Sequence, residues 1–320
     1  MRIFVVGGGS WGTVFSRLLR DRGHEVTLAV RDPAQAEAIR TTRRNPRYAQ
    51  AVDLSGVEIG TWHVPGTYLA PELFVLAVPS AAFAEVASSL PGTAPVLSLT
   101  KGLDPATGDR LSSLVRGHPV AVLSGPNIAE EIARGLPTAA VVASEDEVLA
   151  EELQHAINSN VFRVYVNADI VGVELCAAAK NVIALAAGAV DGLGLGDNAK
   201  AALITRGLVE MARLGETYDA RPETFSGLAG MGDLIVTCEA RLGRNRRAGE
   251  LIARGATPEA AVAEIGQTVE GLTTAPVLRD LSHRLGIELP ITEGVCAVLG
   301  GRIPLLDIAE GLMGRRPTEE

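Results

Sequence analysis

The sequence predicts an α/β fold in which an N-terminal, Rossmann-type, doubly wound sheet is followed by an all-helical C-terminal domain. In the first half, short apolar runs rich in β-branched residues alternate with helix-length segments, as buried parallel strands and their crossover helices do. After Asn167 the strand pattern stops, and long segments with a period of about 3.6 residues follow. Because 320 residues fit two domains of about 100–200 residues each, we predict residues 1–168 as the first domain and 169–320 as the second.

Seven apolar runs predict the strands of the sheet. In chain order they are Ile3–Val6, Val26–Ala29, Leu73–Val78, Val96–Ser98, Val120–Leu123, Ala139–Ala143 and Val161–Val166. Helical patterns separate several of them, at Gly12–Arg22, Pro33–Thr41 and Ser80–Ser89. Repeated strand–helix–strand units of this kind build a doubly wound sheet.

The composition argues against nucleic acid as a partner. The formal net charge of −9 repels a phosphate backbone over most of the surface. Twelve aromatic residues are also few for the stacking platforms on which single-stranded nucleic acid binds.

Neither a metal site nor membrane insertion is expected. The three cysteines form no CxxC pair, which fits a reducing cytoplasm. The five histidines are scattered along the chain, at His24, His63, His118, His155 and His283. The first apolar run has too few residues for a signal peptide, and no stretch comes near the roughly 18 uninterrupted apolar residues that span a bilayer.

A glycine-rich turn, GGGSWG at positions 7–12, follows the first predicted strand and leads into a helix. It matches the G-x-G-x-x-G pattern in the strand–turn–helix context that dinucleotide sites need. The pattern requires Gly7 for the tight turn, Gly9 for close approach to a pyrophosphate, and Gly12 for packing of helix on strand. Since the helix N-terminus offers N–H groups to phosphates, we predict a dinucleotide cofactor rather than a purely structural turn.

Arg31 and Asp32 follow the second predicted strand, where such sites recognise the cofactor ribose. An arginine there can hold the 2′-phosphate of NADP, whereas an acid binds the ribose hydroxyls of NAD. Arg31 favours NADP(H), and Asp32 leaves NAD(H) open. Tyr48, in the basic stretch 43–48, is a candidate to cover the adenine, with a surface tyrosine as the alternative.

Two further strand ends carry candidate ligand-binding residues. Lys101 lies just past a strand end, where open α/β sheets bind ligands, and a lysine there can neutralise a phosphate or polarise a carbonyl. The segment Leu123–Glu131 is again a strand followed by a Gly-Pro turn and a helix start. In its structural interpretation, Asn127 is a helix N-cap and Glu130 completes a capping box.

Lys180 is the strongest candidate for a general acid or base. Within one helical turn its neighbours are small or apolar, except for Asn181. A buried lysine is costly unless it is paired, lowered in pKa or facing a polar cavity. The alternative is a lysine whose amine reaches solvent from a buried stem.

Downstream motifs add possible partners for Lys180. Asp233 and Thr237 are four residues apart and share one helical face, so both could point toward it. The cluster GRNRR at 243–247 suggests a phosphate pocket, with a solvated helix face as the alternative. The sequence alone does not assign a role to Glu270.

Taken together, these motifs resemble the bacterial NAD(P)-dependent glycerol-3-phosphate dehydrogenase family over nearly the whole chain. The matching segments are GGGSWGT, LTKGL, LSGPNIAEE, ELCAAAKNVIALAAG, DGLGLGDNAKAAL, GLAGMGDLIVTC, GRNRRAGE, VEG and LPITEGV. The resemblance implies a Rossmann domain plus a helical domain, a homodimer, and reversible reduction of dihydroxyacetone phosphate to sn-glycerol 3-phosphate for phospholipid synthesis.

The resemblance also implies roles for individual residues. Lys180 matches the proton donor/acceptor, and Lys101, Asp233 and Thr237 match its partners around the substrate. Positions matching substrate contacts are Gly125, Arg244 and Asn245, of which Arg244 and Asn245 hold the phosphate. Positions matching cofactor contacts are Ser10, Trp11, Arg31, Lys101, Ala129, Arg244 and Glu270.

The sequence departs from the family pattern at two places. Asn127 and Ile128 replace the usual Ser-Phe after Gly-Pro, and Asn127 can still hydrogen-bond the substrate. Gly243 replaces a serine, so it could offer the substrate only its backbone N–H.

Two other functions stay open from the sequence. One is a different two-domain dehydrogenase, of the ketopantoate, 6-phosphogluconate or nucleotide-sugar type; the arginine cluster favours a phosphorylated substrate instead. The other is a non-catalytic NADP-binding sensor, against which a buried Lys180 argues.

Overall fold

The computed structural model describes residues 1–62 and 70–301, and the chain forms two compact units. The first consists of Met1–Ala177 with Glu223–Asp233, and the second of Ala178–Pro222 with Leu234–Glu320. The predicted domain limits, 1–168 and 169–320, stay a prediction. Of the histidines, His63 lies outside the described residues.

The first unit contains one eight-stranded sheet. Its strands are β1 (Arg2–Val6), β2 (Glu25–Val30), β3 (Glu58–Thr61), β4 (Leu73–Leu76), β5 (Val96–Ser98), β6 (Val120–Ser124), β7 (Thr138–Ala143) and β8 (Phe162–Asn167). Their order is β3-β2-β1-β4-β5-β6-β7-β8, and all neighbours are parallel except β6 and β7. The chain reverses its direction of travel across the sheet between β1 and β4, and ligands of such sheets bind at the carboxyl ends of the strands at this point. The predicted fold class is confirmed, and β3 is the strand that the prediction missed.

Thirteen α-helices accompany the sheet or follow it in the described residues. They are α1 (Ser10–Asp21), α2 (Pro33–Thr42), α3 (Ser80–Ser88), α4 (Ala129–Ala133), α5 (Glu147–Ile157), α6 (Ile170–Leu193), α7 (Asp197–Glu216), α8 (Pro222–Ser226), α9 (Asp233–Glu239), α10 (Arg244–Ala253), α11 (Pro258–Ile265), α12 (Glu270–Leu285) and α13 (Pro290–Leu299). A 3-10 helix covers Leu111–Leu114, and a π-helical turn covers Leu228–Gly232.

The central strands are buried on both faces, which explains why they read as continuous apolar runs. In β1, Ile3 and Val5 pack into one hydrophobic cluster, whereas Phe4 and Val6 pack into another. Parallel sheets covered by helices on both sides have this pattern.

Polar residues fix the start of α6. Asp169 precedes the helix, and its carboxylate accepts a hydrogen bond from Gly172 N at 2.8 Å. Further along, Glu174 is buried and accepts hydrogen bonds from Ser112 N at 2.8 Å and Arg110 Nη1 at 2.9 Å. Burial raises the pKa of Glu174, and these hydrogen bonds oppose the shift. The first turns of α6 are therefore held by side chains and not only by apolar packing.

By length and composition, α6 could cross a membrane, but its most apolar window is 89% buried within the protein. Glu174, Lys180 and Asn181 interrupt its apolar surface, and all three are themselves buried. These features are those of a helix that packs in the protein core.

In the second unit, a buried carboxylate holds the start of α13. Glu210 on α7 accepts hydrogen bonds from the backbone N–H groups of Ile291 and Thr292. Burial raises the pKa of Glu210 from 4.5 to about 7, because the hydrogen bonds from α13 only partly offset the loss of water.

Replacing Glu210 with glutamine should remove a pH-dependent loss of stability. Since the native state holds the Glu210 proton more tightly than the unfolded chain, its contribution is fully present below pH 4.5 and is lost as the pH rises through about 7. From about pH 5 to pH 8, the unfolding free energy of the wild type should therefore fall relative to E210Q, by on the order of 2–3 kcal/mol.

Urea unfolding across this pH range measures the effect. Glu216→Gln is the matched control, because Glu216 is exposed on the same helix. If the unfolding free energies of the wild type and E210Q changed in parallel with pH, the raised pKa of Glu210 would be wrong.

Candidate active site

The glycine turn after β1 is shaped by backbone contacts. Gly7 has a φ of +115°, and a Cβ on it would lie 2.3 Å from Ala77 O. A Cβ on Gly12 would lie 2.0 Å from Gly7 O. A Cβ on Gly9, by contrast, meets nothing within 4 Å among the described residues. Gly7 and Gly12 thus serve the packing of the turn, whereas the lack of a side chain at Gly9 keeps the entrance to α1 open.

The residues around this turn fit a dinucleotide phosphate. Gly9 is the N-cap of α1 and provides no side-chain cap, and the first turn contains no acidic residue. The N-terminus of α1, which begins at Ser10, therefore keeps its positive dipole end available for an anion. Trp11 packs on Phe15, with ring centroids 5.3 Å apart, and its buried Nε1 has no hydrogen-bond partner in the described chain.

Arg31 and Asp32 lie at the end of β2, as the sequence predicted, but Asp32 already has two partners. Its carboxylate caps α2 by accepting a hydrogen bond from Ala34 N at 2.9 Å, and it lies 3.6 Å from Arg47 Nη2. Arg31 is exposed and forms no hydrogen bond or ion pair within the described residues. Tyr48 is half-buried.

A buried ion pair lies at the carboxyl ends of β5 and β6 in the first unit. Lys101 Nζ is 2.7 Å from Asp233 Oδ2 and donates a hydrogen bond to Gly125 O at 3.1 Å. Asp233 is 1% exposed, and Ser124 Oγ donates to the same carboxylate oxygen at 3.3 Å.

Asn127 is not the helix cap that the structural interpretation expected. The residue before α4 is Ile128, and the helix has no side-chain cap. Instead, Asn127 Nδ2 donates to Ala139 O on β7 at 3.0 Å. Its buried Oδ1 has no partner in the described part of the chain, so it can accept a hydrogen bond from a ligand. The adjacent Ala129 is buried in the core at the start of α4.

Lys180 is buried in the second unit, so its side chain does not reach solvent as the alternative interpretation supposed. It is 4% exposed, and Nζ donates a hydrogen bond to Thr237 Oγ1 on α9 at 2.9 Å. Next to Thr237, burial raises the pKa of Cys238 to about 12, only partly offset by the positive charge of Lys180. Cys238 is therefore a neutral thiol at physiological pH.

Asn181 is a candidate site residue that the sequence predictions missed. Its Oδ1 accepts a hydrogen bond from Asn245 Nδ2 at 2.9 Å, and Asn245 Oδ1 accepts one from Gly271 N at 2.9 Å. These hydrogen bonds join α6, α10 and α12 next to Lys180. Glu270, a predicted cofactor contact, is the first residue of α12. The available signal was that Asn181 is the one polar neighbour of Lys180.

The predicted arginine cluster divides into two parts. Arg246 pairs with Asp191 at 2.5 Å, and Arg247 pairs with Glu264 at 2.9 Å. Arg244, the first residue of α10, is exposed and has no ion pair in the described chain. The expectation of one phosphate pocket from the whole cluster therefore applies only to Arg244 and its neighbour Asn245.

Gly243 precedes α10 and approaches the backbone of the preceding turn. A Cβ there would lie 2.9 Å from Ala240 O and 3.1 Å from Thr237 O. Any side chain, including a serine, would require the neighbouring backbone to shift, which accounts for glycine at this position.

Comparisons with known proteins cover both halves of the chain. The family model for the N-terminus of NAD-dependent glycerol-3-phosphate dehydrogenase matches residues 2–150, and the model for its C-terminus matches residues 169–310. The glycerol-3-phosphate dehydrogenase [NAD(P)+] of Moorella thermoacetica is 45% identical over 99% of this chain and 97% of its own length. The Streptomyces coelicolor protein of the same name is 44% identical, over 99% and 97%. Among solved structures, a Coxiella burnetii glycerol-3-phosphate dehydrogenase has a TM-score of 0.94 and 35% identity, over 98% of this chain and 99% of that one.

Alanine at Gly9 and at Gly12 should have different effects. Gly12→Ala should lower the unfolding free energy by about 1–3 kcal/mol, the usual cost of forcing extra atoms into a packed region. Gly9→Ala should melt like the wild type but bind NADPH about 10-fold more weakly, because its methyl group would occupy the space that a phosphate needs.

Thermal melting and fluorescence titration with NADPH separate the two effects. Wild-type NADPH affinity in Gly9→Ala would contradict the proposed phosphate position.

Proposed function

The chain belongs to the NAD-dependent glycerol-3-phosphate dehydrogenase family, and from this premise we propose that Lys180 is the proton donor and acceptor of its reaction. The enzyme is an oxidoreductase that reversibly reduces dihydroxyacetone phosphate to sn-glycerol 3-phosphate with NAD(P)H, a step in phospholipid synthesis. When bound, the nicotinamide supplies the hydride. The protein positions the ketone and supplies charge and a proton.

The burial of Lys180 is the observation that carries the proposal. Its Nζ donates to Thr237 Oγ1, which fixes the direction of the side chain, and the ammonium group carries three protons. As the ketone is reduced, its oxygen becomes an alkoxide, and an adjacent ammonium both stabilises that charge and delivers the proton. In the oxidation direction neutral Lys180 accepts the proton, so oxidation should be faster at alkaline pH.

Lys101 and Asp233 are proposed as substrate-binding residues. Asp233 accepts hydrogen bonds from Lys101 and Ser124, which hold the carboxylate in place. Lys101 remains 18% exposed, so its ammonium can also interact with a ligand. The Lys101 bond to Gly125 O links this lysine to the loop that carries Asn127, whose Oδ1 accepts no hydrogen bond from the described residues.

Arg244 and Asn245 are proposed to hold the substrate phosphate. Arg244 has no ion pair with any residue that the structure describes, whereas Arg246 and Arg247 already pair with carboxylates. A guanidinium can bind two phosphate oxygens at once, which suits a small phosphorylated substrate. Asn245 is held in place by Asn181 and by Gly271 N.

The proposed cofactor contacts involve the open glycine turn, the arginine after β2 and residues that match the family by position. The set comprises Gly7, Gly9, Ser10, Trp11, Gly12, Arg31, Tyr48, Lys101, Ala129, Arg244 and Glu270. We also propose a cytoplasmic homodimer, which the family resemblance supports; sedimentation at several protein concentrations tests the dimer.

Lys180→Ala should retain cofactor binding and lose at least about 100-fold in turnover, the low end for a missing general acid. NADPH fluorescence titration of the variant checks that the first unit still binds the cofactor. Turnover within a few-fold of the wild type would exclude Lys180 as the proton donor.

The substrate and cofactor are tested by following NADPH and NADH oxidation with dihydroxyacetone phosphate and with ketopantoate. We expect turnover with dihydroxyacetone phosphate and none with ketopantoate, because Arg244 offers a phosphate contact. Activity with ketopantoate alone would favour the other dehydrogenase class, and tight cofactor binding without any turnover would favour a sensor.

A further inference from the structure

Asn45 is a buried hydrogen-bond hub beneath the glycine turn. It is fully buried, and its Nδ2 donates to Gly8 O at 2.9 Å and to Thr13 Oγ1 at 2.8 Å. Gln35 Nε2 donates to the same Gly8 oxygen at 3.0 Å. The backbone of the turn and the first helix are therefore tied to one side chain from a different loop.

The other end of the Asn45 amide holds the loop that follows it. Its Oδ1 accepts hydrogen bonds from Arg47 N at 3.1 Å and Tyr48 N at 3.2 Å. Both amide hydrogens and the amide oxygen are therefore used. Asn45 thus fixes the position of the Arg47 backbone relative to the turn proposed to bind the cofactor pyrophosphate.

The Arg47 side chain lies against the ribose-recognition position. Its Nη2 is 3.6 Å from Asp32 Oδ2, and the two side chains are 64% and 38% exposed. An ion pair this exposed contributes little stability, so Arg47 can turn to another anion at small cost. Arg31, the residue before Asp32, is exposed as well.

The charges at this position favour a phosphorylated ribose. Asp32 alone would repel a 2′-phosphate, but it is countered by Arg47, and Arg31 adds a second positive charge. Asp32 also caps α2, and one of its carboxylate oxygens accepts a hydrogen bond from Ala34 N. The carboxylate is therefore less available to the ribose hydroxyls of NAD.

We propose that Arg47, positioned by Asn45, is with Arg31 a second cation for the 2′-phosphate of NADP(H), and that the enzyme therefore prefers NADP(H) over NAD(H). This inference rests on the proposed function of the glycine turn as a dinucleotide site. It assigns Arg47 to cofactor selection and Asn45 to positioning.

The test compares dissociation constants for NADPH and NADH, measured by fluorescence titration of the full-length protein. Arg47→Ala should raise the dissociation constant of NADPH by about 10-fold, because a charge-assisted contact to the phosphate is lost. It should change the dissociation constant of NADH by less than about 2-fold. Arg116→Ala is the matched control: Arg116 is exposed in the same unit, away from the glycine turn in sequence, and should leave both constants unchanged.

Asn45→Asp separates the support of the glycine turn from cofactor selection by Arg47, whose loop stays hydrogen-bonded in this variant. Its carboxylate still accepts from Arg47 N and Tyr48 N but cannot donate to Gly8 O, so Gly8 O keeps only the hydrogen bond from Gln35 while the loop keeps its own bonds. We expect the dissociation constants of both cofactors to rise by a similar factor. Thermal melting identifies unfolding, and Asn45→Ser provides a second, uncharged variant if the aspartate does not fold.

The outcomes distinguish this inference from the proposed function. If the wild type binds neither nicotinamide dinucleotide, the proposed function is wrong. If it binds both and Arg47→Ala weakens them equally or not at all, only the selection role is overturned. Tighter wild-type binding of NADH than of NADPH would also overturn it.

Discussion

The need to give a buried charge a partner governs the arrangement of the candidate active site. Lys180 lies on a helix that is surrounded by protein, and a charge there is tolerated only with a hydrogen-bond acceptor close by. Thr237 provides that acceptor, which requires α9 to lie beside α6 within the second unit. The same requirement pairs Lys101 with Asp233, and Glu174 with Arg110, in the first unit. Each buried charge therefore fixes a neighbouring element as well as itself.

Close backbone packing allows the polar contacts of the second unit to form. A Cβ on Gly188 would lie 1.8 Å from Arg246 O, and one on Gly249 would lie 1.9 Å from Leu185 O. Because α6 and α10 touch at these glycines, Asn245 comes within hydrogen-bond distance of Asn181. Part of the glycine content of this chain thus serves helix contact rather than turns.

The sequence predicted features whose causes are local and missed those that depend on distant partners. Strand runs, the glycine turn and the burial of Lys180 follow from spacing and neighbours, whereas β3 is short and contains few apolar residues. Arg246 was assigned to a phosphate because its partner, Asp191, is 55 residues away. Asn127 has the sequence context of a helix cap, but its side-chain amide donates a hydrogen bond to β7 instead. The hub role of Asn45 was invisible for the same reason, since its partners come from separate loops and helices.

The chain has only three lysines, and all of them have been described: Lys101 and Lys180, and Lys200, which pairs with Asp191 and Glu239. Arginine supplies the remaining basic side chains. Lys180 and Lys200 are buried, and the side chain of Lys101 is 18% exposed. A reagent that acylates lysine amines in the folded protein would therefore label Lys101 ahead of the other two, so that lysine modification, usually a label for the protein surface, here reports on a residue proposed to bind the substrate.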